Sequence, residues 1–150
     1  MTIIFLSIFV LFTFSFFQST NACKCALQTV EKATCSHYAV VHVKITSGKT
    51  EYGNRESLYH FKKIELLRKI DKKGMPGIDS GRLITPTDSA ACGVEFEKDK
   101  EYIIFGRSMS DREFPYLEVA SCDFPSGVPK VFTQEEKSAV QDAVKKSCPE

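Results

Sequence analysis

Six cysteines, at positions 23, 25, 35, 92, 122 and 148, constrain this chain more than any other feature, because all of them follow an uncharged apolar run. Residues 1–17 read MTIIFLSIFVLFTFSFF, the length of a signal-peptide core with its flanks and short for a membrane span. Gln18-Ser19-Thr20-Asn21-Ala22 comes next, and Thr20 and Ala22 suit the −3 and −1 positions of a cleavage site. The run therefore reads as a secretion signal over 1–22, cleaved before Cys23, with an uncleaved anchor as the alternative. Secretion places the cysteines in an oxidising compartment, and an even number in a small secreted chain implies disulfides, here three. Six cysteines allow 15 pairings. Cys23 and Cys25 stand too close to bridge each other without strain; the other pairings stay open. A metal–thiolate reading of Cys23-Lys24-Cys25 would need reduced thiols and further ligands. The wide spacing of the other four cysteines speaks against it.

After Ala22, 128 residues remain, carrying all 20 Lys and Arg and all 19 Asp and Glu, so the net charge stays at +1. That length supports one domain, 23–150, with one core. The balanced charge excludes the basic excess of a nucleic-acid binder, and once the signal is cleaved no segment is left to hold the chain in a membrane. Catalytic patterns are missing: there is no HExxH, no GxSxG elbow and no phosphate-cradling glycine loop. The three histidines are His37, His42 and His60; His42, on a strand, is expected to face water. A Cys–His nucleophile pair would need a free thiol. The chain is read as no enzyme, with no cofactor. The Lys62-Lys63 and Lys72-Lys73 pairs read as solvated faces, with contact to sulfated matrix glycans as their functional alternative.

Residues 27–34 suggest two short helical turns with Leu27, Val30 and Ala33 on one side. Residues 38–45 alternate as a half-buried strand, with Val41, Val43 and Ile45 inward. The stretch 57–70 is ambiguous: Leu58, Phe61, Ile64 and Leu67 recur at helical spacing, and alternation fits less cleanly. Gly74, Pro76, Gly77 and Gly81 mark 71–81 as a loop, followed by a short strand at 82–85 closed by Pro86. Residues 93–107 suggest a hairpin turning at Glu97–Lys100, and 116–120 a further strand. From Thr133 the period changes. Thr133 and Glu136 form a capping box, Ala139, Val140, Ala143 and Val144 make a helical stripe, and Lys145 and Lys146 suit the last turn. Short strands plus a terminal helix indicate a mainly β fold, a small barrel or sandwich with attached helices.

A cleavage that leaves Cys23-Lys24-Cys25 as the first mature residues resembles the tissue inhibitors of metalloproteinases, specifically their N-terminal domain. The likeness continues in SAACGVEFEKDKEYIIFG (89–106), in Ser121-Cys122-Asp123-Phe124 and in the closing helix with its cysteine, Thr133 to Cys148. It spans essentially all of 23–148, in a single-domain form without the family's C-terminal subdomain. The resemblance implies a netrin-like fold, a five-stranded OB-type barrel with a C-terminal helix, and makes 57–70 a strand. The implied bridges are Cys23–Cys92, Cys25–Cys122 and Cys35–Cys148. The implied partners are secreted or membrane-anchored zinc metalloproteinases, bound by a monomer in the extracellular space. In that mechanism the α-amine and carbonyl of Cys23 chelate the protease's zinc. Cys23, Lys24, Cys25, Ala26 and Leu27 then enter the cleft beside a second strip, Asp88, Ser89, Ala90 and Ala91.

Two residues depart from the family pattern. Lys24 stands where a small hydroxylic residue usually enters the protease's specificity pocket, and burying an unpaired ammonium is costly. Leu27 replaces a proline common in vertebrate members. The competing function is a netrin-like extracellular binding module without inhibitory activity.

Overall fold

The structure, a computed structural model, describes residues 23–37, 39–70 and 75–148. The expected signal, 1–22, lies outside the described residues, as do Tyr38 and 71–74 of the expected loop. Among the described residues no helix is long and apolar enough to cross a membrane.

Six strands follow in order: β1 (Ala39–Ile45), β2 (Thr50–Tyr52), β3 (Glu56–Lys69), β4 (Arg82–Pro86), β5 (Glu101–Met109) and β6 (Tyr116–Glu118). Five of them close a barrel in the order β1-β5-β6-β4-β3, with β3 pairing back to β1, while β2 extends the edge of β3. One long strand makes closure possible. The first half of β3 pairs with β2 and β4, and the second half, Phe61 to Lys69, pairs with β1. All these pairings are antiparallel except β4 with β6. The expected five-stranded barrel is what the chain forms, and 57–70 is strand, as the resemblance implied and helical spacing did not.

Alternation explains the interior. Val41, Val43 and Ile45 of β1, Tyr59 and Phe61 of β3, and the continuous run Tyr102 to Phe105 of β5 are buried. Phe96 stands edge-on to both Tyr59 and Tyr102, with ring centroids 5.3 and 5.1 Å away, and Phe105 meets Phe124 in the same way at 6.0 Å. Edge-to-face packing matches the positive rim of one ring to the negative face of the next. Val94 and Phe96 are buried, but 93–97 pairs with no strand, so the hairpin read from 93–107 keeps only its β5 arm.

Helix α1 (Val30–Ser36) begins where Thr29 accepts a bond from the backbone N–H of Lys32 at 3.1 Å. The helix begins later than 27–34 suggested: Leu27 precedes it and is 80% exposed, so it does not share the buried side of Ala33. A short helix, α2 (Pro76–Asp79), breaks the expected loop. Helix α3 (Gln134–Lys146) begins at Thr133, whose hydroxyl accepts from the N–H of Glu136 at 3.2 Å, with Glu135 and Glu136 in the first turn and Lys145 and Lys146 in the last. Those charges complement the helix dipole. Arg68 of β3, buried, reaches the carbonyls of Thr34 and His37 at the end of α1 at 2.5 and 3.4 Å. Loss of hydration pushes its guanidinium pKa down.

His42 does not face water. Val131 bridges to Tyr102, which lays Phe132 flat on the His42 ring at 4.0 Å, and His42 Nε2 meets Glu101 Oε2 at 2.9 Å. The outer face of β1 is thus covered from a segment some 90 residues away in sequence. At the opposite end, Arg112 forks onto both carboxylate oxygens of Glu56 and lies over the rings of Tyr116 and Tyr52, at 5.0 and 5.8 Å. The guanidinium holds the Glu56 carboxyl below its ordinary range. This contact ties the β2–β3 hairpin to the loop before β6.

Candidate functional site

Three disulfides join Cys23 to Cys92, Cys25 to Cys122 and Cys35 to Cys148, leaving no free cysteine. These are the pairs the resemblance implied. The third pins α1 to the end of α3. The first two lie side by side and tie the first described residues to two different segments. The four sulfurs of Cys23, Cys25, Cys92 and Cys122 lie within 4.8 Å of one another. The structure therefore supplies the neighbours that the spacing of the cysteines seemed to deny a thiolate site, but the sulfurs are bonded in pairs and are no metal ligands in this state.

Residues 23–28 lie against the 121–127 segment, held at Cys25 and Gln28. Gln28 donates from its side chain to the carbonyl of Cys122 at 2.7 Å and from its backbone to that of Pro125 at 3.2 Å. Gly127, with φ of 72°, turns the chain close beneath Cys25. The 121–123 turn is fixed from below. His37 Nε2 lies 2.9 Å from Asp123 Oδ1, and Asp123 Oδ2 accepts from the backbone N–H of Ala120 at 2.7 Å. The other ring nitrogen of His37 is 2.6 Å from the carbonyl of Ala33. Both ring nitrogens thus face oxygen acceptors.

The second strip is a single 3₁₀ turn, Ser89–Ala91, capped by Asp88, whose carboxylate accepts from the N–H of Ala91 at 2.7 Å. Cys92 closes it in the left-handed region with φ of 65°, a conformation unusual for a residue with a side chain. The bond from Gly93 N–H to the carbonyl of Asp88, at 2.9 Å, holds it there. A side chain at Gly93 would collide with the carbonyl oxygens of Pro86 and Asp88. The carbonyl of Cys92 in turn accepts from the N–H of Ser121 at 2.8 Å, joining this turn to the segment that holds Cys122.

Every site residue read from the sequence falls on one surface unit. Lys24, Ala26, Leu27, Asp88, Ser89, Ala90 and Ala91 are exposed, while Cys23 and Cys25 are half-buried and anchor it. Asp88 is both exposed and the cap that fixes its own turn. The structure adds a neighbour that no local pattern announced. Thr87, just before the second strip, donates its N–H to the carbonyl of Arg55 at 2.9 Å, and Lys49 Nζ donates to the carbonyl of Thr87 at 3.0 Å. The exposed tip Gly53-Asn54-Arg55 of the β2–β3 hairpin therefore borders the ridge. Only long-range strand pairing puts it there.

The sequence matches the family model described as "Tissue inhibitor of metalloproteinase" over residues 21–149. The chain belongs to that family. Members of the family are inhibitors, not enzymes, and its partners are metalloproteinases. A relative from Caenorhabditis elegans named "Putative metalloproteinase inhibitor tag-225" is 29% identical over 97 residues, which are 59% of this chain and 60% of the relative. The chain thus spans less than two thirds of that relative's length. The family match takes in both strips of the ridge and all six cysteines.

Proposed function

We propose that this protein is a secreted inhibitor of zinc metalloendopeptidases, which blocks the catalytic zinc with the N-terminal amine and carbonyl of Cys23 after removal of residues 1–22. What carries this reading is the double tether: Cys23 and Cys25, separated by one residue, are each bridged to a different half-buried segment of the domain. A catalytic zinc keeps one position open for water. An α-amine and the carbonyl of the same residue close a five-membered ring on such an ion and displace that water. The amine, with an ordinary pKa of about 7.7 to 8.0, sheds its proton for this at small cost near neutral pH. Holding the chelating residue in place beforehand reduces the ordering entropy lost on binding. Asp88 to Ala91, bridged to Cys23 through Cys92, would line the cleft alongside it.

Lys24 then decides the targets. Its side chain leaves the ridge directly after the chelating residue, so a bound protease meets it at the specificity pocket. Its ammonium must remain hydrated or find a carboxylate there, which favours proteases with open or acidic pockets.

The test is a matched pair of proteins, one beginning at Cys23, the other carrying one added alanine before it. Both should melt at the same temperature. The first should inhibit a panel of zinc metalloproteinases, and the second should lose at least a hundredfold in affinity, since its α-nitrogen has become an amide. Equal inhibition by both would rule out the chelate. No inhibition by either, with N-terminal sequencing showing a free Cys23, would leave the netrin-like binding module as the function.

A further inference from the structure

The two bridges beneath the ridge lie in van der Waals contact. Across them, Cys23 Sγ lies 3.6 Å from Cys122 Sγ and 3.7 Å from Cys25 Sγ, and Cys92 Sγ lies 3.8 Å from Cys122 Sγ. All four residues are half-buried. One hydroxyl stands against the group. Ser121 Oγ is 3.5 Å from Cys23 Sγ and 3.3 Å from Cys25 Sγ, and the residue is 9% exposed.

We propose that these bridges form a single thiol-exchange site, at which a low-molecular-weight thiol catalyses the swap of Cys23–Cys92 and Cys25–Cys122 for Cys23–Cys122 and Cys25–Cys92. Exchange proceeds by thiolate attack on a disulfide sulfur. The external thiolate attacks Cys92 Sγ, forms a mixed disulfide there and expels Cys23 as a thiolate. That sulfur lies beside the Cys25–Cys122 bond, 3.6 Å from Cys122 and 3.7 Å from Cys25, and once freed from Cys92 it has only to swing in line with that bond to attack. Attack on Cys25 would close a bridge between residues one apart, a strained product, so the reaction runs to Cys122, forming Cys23–Cys122 and expelling Cys25. The Cys25 thiolate attacks Cys92 Sγ, forms Cys25–Cys92 and returns the external thiolate. Nothing is oxidised or reduced overall.

The two sulfurs that carry negative charge in turn, Cys23 and Cys25, are the two that Ser121 faces. Its hydroxyl can donate to each as it leaves, and a hydrogen bond to a charged acceptor is among the stronger ones. Cys35–Cys148 is outside this sulfur group and takes no part. The swap moves the attachment of Cys23 from the 88–92 turn to the 121–123 turn. If the ridge is the inhibitory surface, as proposed above, the swapped form inhibits poorly; the exchange chemistry itself does not depend on that reading.

The test incubates the oxidised protein, beginning at Cys23, with substoichiometric reduced glutathione without oxygen. Samples are acid-quenched, alkylated and digested for peptide mapping under non-reducing conditions. Trypsin cuts after Lys24 and so separates Cys23 from Cys25. Cys23–Cys122 and Cys25–Cys92 should rise together while Cys35–Cys148 stays intact. Ser121→Ala should slow the rise about tenfold, and Ser121→Thr, which keeps the hydroxyl, should restore most of the rate; melting curves check that both variants fold. Persistence of the original pairs overturns the proposal, as does a mixed disulfide that goes no further. So does scrambling of Cys35–Cys148 at the same rate, which would mean exchange through unfolding. A swap that leaves inhibition unchanged would support the exchange site and show that inhibition does not need Cys23 to be tethered to Cys92.

Discussion

Replacing Cys35 and Cys148 together with alanine separates what holds the fold from what holds the ridge. This bridge spans 113 residues, the longest of the three separations. On a chain-entropy basis, freeing a loop of that size stabilises the unfolded state by about 4 to 5 kcal/mol. The native side changes less, because Ala33 and Val140, fully buried, still pack in the core between α1 and α3. Against a total stability of about 5 to 15 kcal/mol, the variant should fold in the cold with a small margin. Its melting temperature should fall by about 15 °C. The assay is a urea titration followed by circular dichroism at low temperature, paired with inhibition measured at the same temperature. Since Cys23–Cys92 and Cys25–Cys122 remain, inhibition should stay within about twofold of the parent. A cost below about 1 kcal/mol would refute the loop-entropy account. Loss of inhibition while the circular dichroism stays native would show that the helices, and not the paired bridges alone, set the ridge.

Gly93→Ala forces a methyl group onto the backbone oxygens of Pro86 and Asp88; it should cost about 2 to 4 kcal/mol by denaturant titration and weaken inhibition, because the turn it displaces carries Cys92. Lys24→Thr should improve inhibition of proteases with deep apolar pockets about 5- to 150-fold and leave those with acidic pockets unchanged or worse; one uniform small effect across a panel would place Lys24 away from the pocket. Glu56→Gln should cost about 1 to 2 kcal/mol at pH 7, where the fork from Arg112 is complete. Arg112 lowers the folded-state pKa of Glu56 from 4.5, so this contribution is full above that value and fades as pH falls through the folded-state pKa. Melting curves of parent and variant should therefore converge toward acid; a gap that persists there would mean packing, not charge, is lost.

The cysteines, the turn residues and the terminal helix were legible because each rests on local chemistry. Thr133 with two acidic residues behind it can cap a helix wherever the segment lies. The strand β3 was not legible from its own pattern, and the reason is geometric. Two register shifts against β1 each insert one residue, leaving Ile64 and Leu67 without direct partners. Phe61, Ile64 and Leu67 consequently fall three apart, which mimics a helix in a strand whose alternation is broken twice. Ile64 is 47% exposed, so the apparent apolar stripe never was one face. His42 failed for another reason: alternation tells which face a residue takes, not what will later cover that face. The ridge was legible only through resemblance. No spacing in the sequence says that Ala26 and Ala90 share a surface, because the two bridges that unite them span 69 and 97 residues.

Those separations also govern when the ridge comes into being. A ribosome makes Cys23, Cys25 and Cys35 first, and Cys92 joins them only after β1, β3 and β4 have been made. Until then three thiols near the leading end have no native partner, and any bridge among them is an error that must be undone. Cys25 waits still longer, for Cys122, which follows β5 and β6. The earliest residues of the domain are thus among the last to acquire their final position, after the barrel strands that carry their partners exist. The second tether exists only once Cys122, the last of the four cysteines beneath the ridge, has been made, so a chain that ends short of it can carry the first tether alone.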